Sequence, residues 1–177
     1  MTRRPIPLAE RRLDLVFLGF FAVNLLFITY IVDFEQIAIA NVASFTYPPW
    51  PPAQLVNLVH WYGRTFDPLL MARPPFWKAS SWLDALFFGP YYAAAIYAFW
   101  KGRDWIRLPT VIYATMLFTN VVMIMSEEAW GANASPQLAT VAAFNLPWFL
   151  MPFALIARMW QSEYPFTREV PQSPATP

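Results

Sequence analysis

Four long apolar runs dominate the chain: Leu13 to Val32, Trp82 to Trp100, Leu108 to Met125 and Leu138 to Trp160. Each holds roughly 18 to 23 residues, enough for a helix to cross a hydrocarbon core of about 30 Å. The 177 residues are 58% hydrophobic and 19% aromatic, which is too apolar for a soluble domain of this size. We therefore predict an all-α integral membrane protein, a bundle of four transmembrane helices over about residues 12–33, 80–101, 108–127 and 138–160.

Charge placement predicts the orientation of these helices. Most of the 12 basic residues lie before the first run, between the second and third, or after the fourth. The positive-inside rule then places both termini in the cytoplasm of a multi-pass protein, in a bacterial inner membrane or a eukaryotic endoplasmic reticulum. The first run is too long for a cleaved signal peptide and reads as a retained helix.

Several function classes are excluded by composition. The net charge of +1 is spread in small groups, which argues against a nucleic-acid partner. The chain has no cysteine and one histidine, so thiolate chemistry is excluded and we expect no metal and no cofactor. Function must therefore come from the lipid-embedded bundle.

The segment between the first two helices, residues 34–81, is rich in proline and aromatic residues, as in Tyr47-Pro48-Pro49-Trp50-Pro51-Pro52. We predict a re-entrant or interfacial segment that covers a cavity, because irregular backbone at membrane depth must be buried against protein or water. Residues 1–169 then form one transmembrane domain. Residues 170–177 are predicted to be a disordered tail.

Polar side chains occur where the spans should be apolar. Asp33 ends the first span, Asp84 lies in the first turn of the second, and Asn120 and Asn145 lie inside the third and fourth. A single aspartate at a span end can be an interfacial cap, but one at a helix centre costs about 2.5 to 3.5 kcal/mol. Each helix carries its polar residues on one stripe at helical spacing. We therefore predict that the four stripes converge on one interior cavity.

Five stretches carry a specific resemblance. They are Trp61-Tyr62, Asp67-Pro68-Leu69-Leu70 and Pro74-Pro75-Phe76-Trp77-Lys78, followed by Tyr97-Ala98-Phe99-Trp100-Lys101-Gly102 and Trp105-Ile106-Arg107-Leu108-Pro109. Together they resemble the EXPERA superfamily, and most closely its sigma-2 receptor branch. The likeness runs from about Leu13 to Met159.

The resemblance implies a four-helix receptor, often a homodimer, whose cavity opens to the bilayer and takes a sterol, an isoprenoid or a cationic amphiphile. It implies that Asp33 pairs with a ligand amine and that Asp67 supports it. The family's acidic residue early in the second helix is matched by Asp84. The remaining pocket positions implied by the resemblance differ in detail and fall at Phe88, Asn120 and Trp148.

Physical chemistry supports these roles. Two carboxylates close together and away from water do not easily both ionise, so we expect Asp33 and Asp67 to share a proton and leave one negative charge for an ammonium ligand. Aromatic walls would add cation–π attraction. The candidate ligand-binding residues are Asp33, Asp67, Asp84, Phe88, Tyr91, Tyr113, Asn120, Asn145 and Trp148.

Two alternatives remain open. The sterol isomerase branch of EXPERA moves a double bond by proton transfer, and it would use Asp33, Asp84, Asn145 and Trp148 here. However, Thr29 stands where that branch has a histidine, and the sole histidine, His60, is expected at the membrane interface. The other alternative is an accessory subunit of a larger membrane complex.

Overall fold

The computed structural model describes residues 2–170, whose regular structure is helical apart from one short two-stranded ribbon. The helices are α1 (Asp14–Ala38), α2 (Ala53–Thr65), α3 (Leu69–Ala72), α4 (residues 75–101), α5 (Arg107–Trp130) and α6 (Leu138–Trp160). Single 3₁₀ turns, Leu8–Glu10 and Asp104–Ile106, precede α1 and α5. Among the described residues three helical stretches are long and apolar enough to cross a membrane: Asp14–Ala38, Asp104–Trp130 and Leu138–Trp160.

The helix boundaries differ from the predicted ones at several ends. Helix α1 continues past Asp33 to Ala38, and α4 begins at Pro75, where a proline suits the first turn of a helix. The segment predicted as re-entrant or interfacial is therefore largely helical, formed by the end of α1, by α2 and α3, and by the start of α4. Hydropathy alone missed these ends because the residues beyond the apolar runs mix polar and apolar side chains.

Two helices contain a π-helical stretch, Asn24–Asp33 in α1 and Asp84–Phe88 in α4. Such stretches are rare and are frequently found at functional sites. The two helices pass very close to each other immediately after the second stretch, at Gly89. A Cβ atom added there would lie 2.9 Å from the Tyr30 hydroxyl oxygen and 3.0 Å from Thr29 Cγ2, so only glycine permits this approach.

The packed core fills the half of the bundle nearest the chain termini. Phe21, Phe88, Tyr92, Phe99 and Tyr113 are fully buried there and meet mainly edge to face, the geometry that aromatic pairs favour. The other half of the bundle, towards the α5–α6 connection, contains the cavity.

The N-terminal and C-terminal segments of the described residues form hydrogen bonds with each other. Strand β1 (Arg3–Pro5) pairs antiparallel with β2 (Thr167–Glu169). Below this ribbon the buried Asp14 carboxylate accepts hydrogen bonds from Arg11 and from Arg158. Of the tail predicted to be disordered, Val170 donates its N–H to the Thr2 carbonyl at 3.0 Å, and residues 171–177 lie outside the described residues.

Candidate ligand-binding cavity

A cavity of about 410 Å³ lies between α1, α2, α4, α5 and α6. Its polar lining residues are Asp33, Asp67, Ser80, Asp84, Asn120 and Asn145. Its aromatic lining residues are Phe27, Trp61, Tyr62, Trp77, Phe144 and Trp148. No lysine, arginine or histidine of the described chain lines it. A largely apolar chamber with a few converging acids and amides is typical of a small-molecule site.

Asp33 and Asp84 form the first acidic pair of the cavity. The Asp33 carboxyl lies beside that of Asp84, near the hydroxyl of Ser81. Asp84 accepts a hydrogen bond from the Thr29 hydroxyl, which joins α1 to α4. The π-helical stretch of α1 ends at Asp33, and the π-helical stretch of α4 begins at Asp84.

Asp67 has a different partner from the one that the sequence suggested. Its carboxyl lies beside that of Glu128, so the expected pair of Asp33 and Asp67 is replaced by two separate carboxyl pairs. Asp67 precedes α3, and its carboxylate accepts a hydrogen bond from the Leu70 N–H at 3.4 Å. In this position the carboxylate faces the end of α5, where Glu128 lies. Burial raises the pKa of the Asp67 carboxyl.

Glu128 is the acidic residue that sequence reasoning missed. It is 0% exposed and lies behind the cavity lining, beside the Asp67 carboxyl. No other hydrogen-bond donor of the described residues reaches its carboxylate oxygens. Tyr62 lies close by, and burial together with the charges of Asp67 and Glu128 raises its pKa to about 12. The carboxylate of the neighbouring Glu127 accepts from the Asn133 N–H and side-chain amide, in the connection between α5 and α6.

The amides predicted to face the interior do line the cavity. Asn120 donates its side-chain N–H to the Ser80 hydroxyl at 2.7 Å, and Asn145 donates to the Val141 carbonyl at 3.0 Å. The Trp148 indole N–H donates to Asn24 at 2.7 Å. Asn24, a fully buried residue of α1, was not among the predicted site residues.

Phe88, Tyr91 and Tyr113 were predicted to bind ligand, but they do not line the cavity. Tyr91 and Tyr113 stack at 4.2 Å in the packed core, and the Tyr113 hydroxyl donates to Tyr92. Phe88 packs edge to face on Tyr113. These three side chains support the floor beneath the cavity.

A buried polar network forms the roof. The Arg73 guanidinium donates to both Glu35 carboxylate oxygens, at 2.7 and 2.9 Å, and His60 Nε2 lies 2.8 Å from the same carboxylate. Gln36 extends the network by accepting from the Trp77 indole N–H at 2.9 Å. His60 is only 3% exposed within this network. The network ties α2, α3 and α4 to the end of α1, above Asp33.

Fold and cavity together define a class, the helical membrane proteins with a polar chamber inside an apolar bundle. Comparison with known proteins narrows the class, because the family model described as EXPERA, the expanded EBP superfamily, matches residues 54–159. The chain belongs to the EXPERA superfamily. That match begins within α2, so it includes Asp67 and Asp84 and does not include Asp33.

Individual relatives agree with this assignment. The chain is 32% identical over 127 residues to sigma intracellular receptor 2 of Homo sapiens, covering 64% of this chain and 72% of the relative. It is 30% identical over 123 residues to sigma intracellular receptor 2 of Xenopus tropicalis, covering 63% and 72%. The Macaca fascicularis protein of the same name is 32% identical over 127 residues.

Proposed function

We propose that this chain is a membrane-embedded binding protein for a sterol, an isoprenoid or a cationic amphiphile, in the manner of a sigma-2-like receptor. The single observation that carries the proposal is the composition of the cavity. Three aspartates line it, and no basic residue of the described chain does. Charges in a low-dielectric chamber are costly unless they are paired, so a ligand ammonium is the natural partner.

The proposal includes a membrane topology. Helix α4 is the fourth span, since residues 75–101 of continuous helix extend about 40 Å and exceed the hydrocarbon core. With four spans the β1–β2 ribbon and both termini lie on the cytoplasmic side, as the basic residues favour. Helices α2 and α3 then cover the cavity at the opposite interface, and the aromatic outer face of the bundle contacts lipid or a second copy in a homodimer.

Within the cavity, Asp33 and Asp84 hold the ligand amine. Asn120, Asn145 and Trp148 are proposed to contact the rest of the ligand. Asp67, at the roof, contributes to the negative field. Phe88, Tyr91 and Tyr113 act from below by fixing the packing of α4 against α5.

Removal of the acids tests the proposal. Asp33→Asn leaves Asp84 able to carry a charge, so we expect affinity for a cationic amphiphile to fall about tenfold. Asp33→Asn/Asp84→Asn removes the whole negative pair and should abolish that binding. Glu163→Gln, which removes an exposed carboxylate, is the matched control and should bind as the native protein does.

The measurement is displacement of a radiolabelled amphiphilic amine from the purified protein in detergent. Size-exclusion profile and thermal unfolding show whether each variant is folded. Native affinity in a folded double variant would refute the role of Asp33 and Asp84. A neutral sterol should still bind to the double variant, because its contacts are with the apolar and aromatic lining.

A second candidate function is double-bond isomerisation. Adjacent buried carboxyls favour one protonated and one ionised group, which are the donor and acceptor that such a proton transfer needs. Incubating the protein with a sterol or isoprenoid in deuterated water would reveal turnover as deuterium incorporated beside a shifted double bond. If the lipid binds but no deuterium is incorporated, ligand binding remains the proposed function.

A further inference from the structure

The cavity has two acidic poles rather than one. The first is Asp33 with Asp84, and the second is Asp67 with Glu128. At the second pole Asp67 lines the cavity and Glu128 lies fully buried behind it, with the Asp67 carboxyl as its hydrogen-bonding neighbour. No other donor of the described residues reaches the Glu128 carboxylate oxygens, so this pair is not neutralised from behind.

The distance between the poles follows from the helices. Asn120 hydrogen-bonds to Ser80, one turn before Asp84 on α4. Glu128 lies two turns beyond Asn120 on α5, and because α4 runs antiparallel to α5, the turn from Ser80 to Asp84 leads away from Glu128. These eight residues and four residues of helix together rise about 18 Å. Apolar cavity residues, including Val121 and Ile124, lie along α5 between the two levels. The chamber is therefore acidic at both ends and apolar in the middle.

Each pole holds a negative charge that nothing in the described chain neutralises. Adjacent buried carboxyls share a proton and keep one charge between them. The nearest buried cation to the roof, Arg73, is already engaged by Glu35 and two backbone carbonyls. A ligand with a single ammonium would satisfy one pole and leave the other unpaired.

We propose that the cavity selects dicationic ligands, in which two amines flank an apolar segment, with Asp33 and Asp84 holding one ammonium and Asp67, supported from behind by Glu128, holding the other. This inference rests on the proposed function, because it concerns the same cavity and the same class of amphiphilic amine. It adds a preference for the second charge and for a defined separation of the two amines. It also assigns to Glu128 the role of supporting the charge on Asp67.

The test compares α,ω-diaminoalkanes with n-alkylamines of matched length on the native protein in nanodiscs, using isothermal titration with empty nanodiscs as the background. We expect diamines whose nitrogens are about 18 Å apart to bind at least about tenfold more tightly than the matched monoamine. Diamines too short to bridge the poles should bind no better than monoamines. Equal affinity at every spacer length would overturn the inference.

Variants at the second pole test the assignment of the second ammonium independently. In Asp67→Asn/Glu128→Gln the ratio of diamine to monoamine affinity should fall to about one, because the second ammonium has lost its counter-charge. An undiminished ratio in the folded double variant would contradict the assignment of this pole. Should neither class bind to the native protein, the proposed function itself fails, whereas equal binding of both classes removes only the dicationic preference.

Discussion

The Trp148 indole N–H donates to the side-chain carbonyl of Asn24 at 2.7 Å, joining α6 to α1 across the interior of the bundle. Asn24 is fully buried and uses its own N–H groups on the Phe20 carbonyl at 2.8 Å. Each polar atom is therefore satisfied within the chain. Trp148 can present its ring to the cavity because its N–H has a fixed partner elsewhere.

Trp148→Phe tests this arrangement. The phenyl ring retains most of the apolar contact, but it leaves the Asn24 oxygen buried without a donor, which costs about 1 to 3 kcal/mol. Thermal unfolding in detergent should show a lower midpoint than for Trp82→Phe, a control at an exposed tryptophan. Equal midpoints for the two variants would mean that the hydrogen bond contributes nothing.

Gly89→Ala examines the close approach of α1 and α4. The new methyl group would meet Thr29 at 3.0 Å, and the helices must separate to admit it, at a cost of about 1 to 3 kcal/mol. Since Thr29 also donates to Asp84, amine affinity should fall together with stability. Gly19→Ala is the matched control, because no heavy atom lies within 4 Å of its added Cβ. It should leave both quantities unchanged.

The pH dependence of stability reports on Asp67. Burial raises its pKa in the folded state above the unfolded value of about 3.9. Between these two values the folded state binds more protons, so the free energy of unfolding falls as pH rises through that window. Asp67→Asn carries no titrating group, and its unfolding midpoint should decline less steeply over the same range. Parallel pH profiles for the native and variant proteins would contradict this expectation.

The sequence identified much of the cavity because its signals are strong. A carboxyl or amide within an apolar run is costly enough to require an interior partner, and Asp33, Asp84, Asn120 and Asn145 all line the cavity. Helical spacing was less reliable over long distances. The α5 face that reaches the second pole runs through Leu117, Val121 and Ile124 to Glu128, and its apolar members gave no sign of the acid at the end.

Which acidic residues pair with each other could not be predicted from the sequence, for a different reason. Partners such as Asp67 and Glu128 are far apart along the chain and meet only because α3 turns back towards α5. The same holds for Glu35 and Arg73, which stand in a segment whose composition resembles an interfacial loop. Spacing within one helix fixes which residues share a face, whereas these contacts depend on how short helices pack between the spans.

Arg73→Gln addresses the roof network. Arg73 is 4% exposed and donates to Glu35, Leu70 and Ile39, so its removal leaves the Glu35 carboxylate buried without its guanidinium. Breaking such a pair costs about 3 to 5 kcal/mol, and the unfolding midpoint should drop sharply. Glu35→Gln/Arg73→Gln should recover part of the loss, because no uncompensated charge remains. Arg168→Gln, at an exposed pair with Glu10, should leave the midpoint unchanged; equal effects at both arginines would refute a stabilising roof.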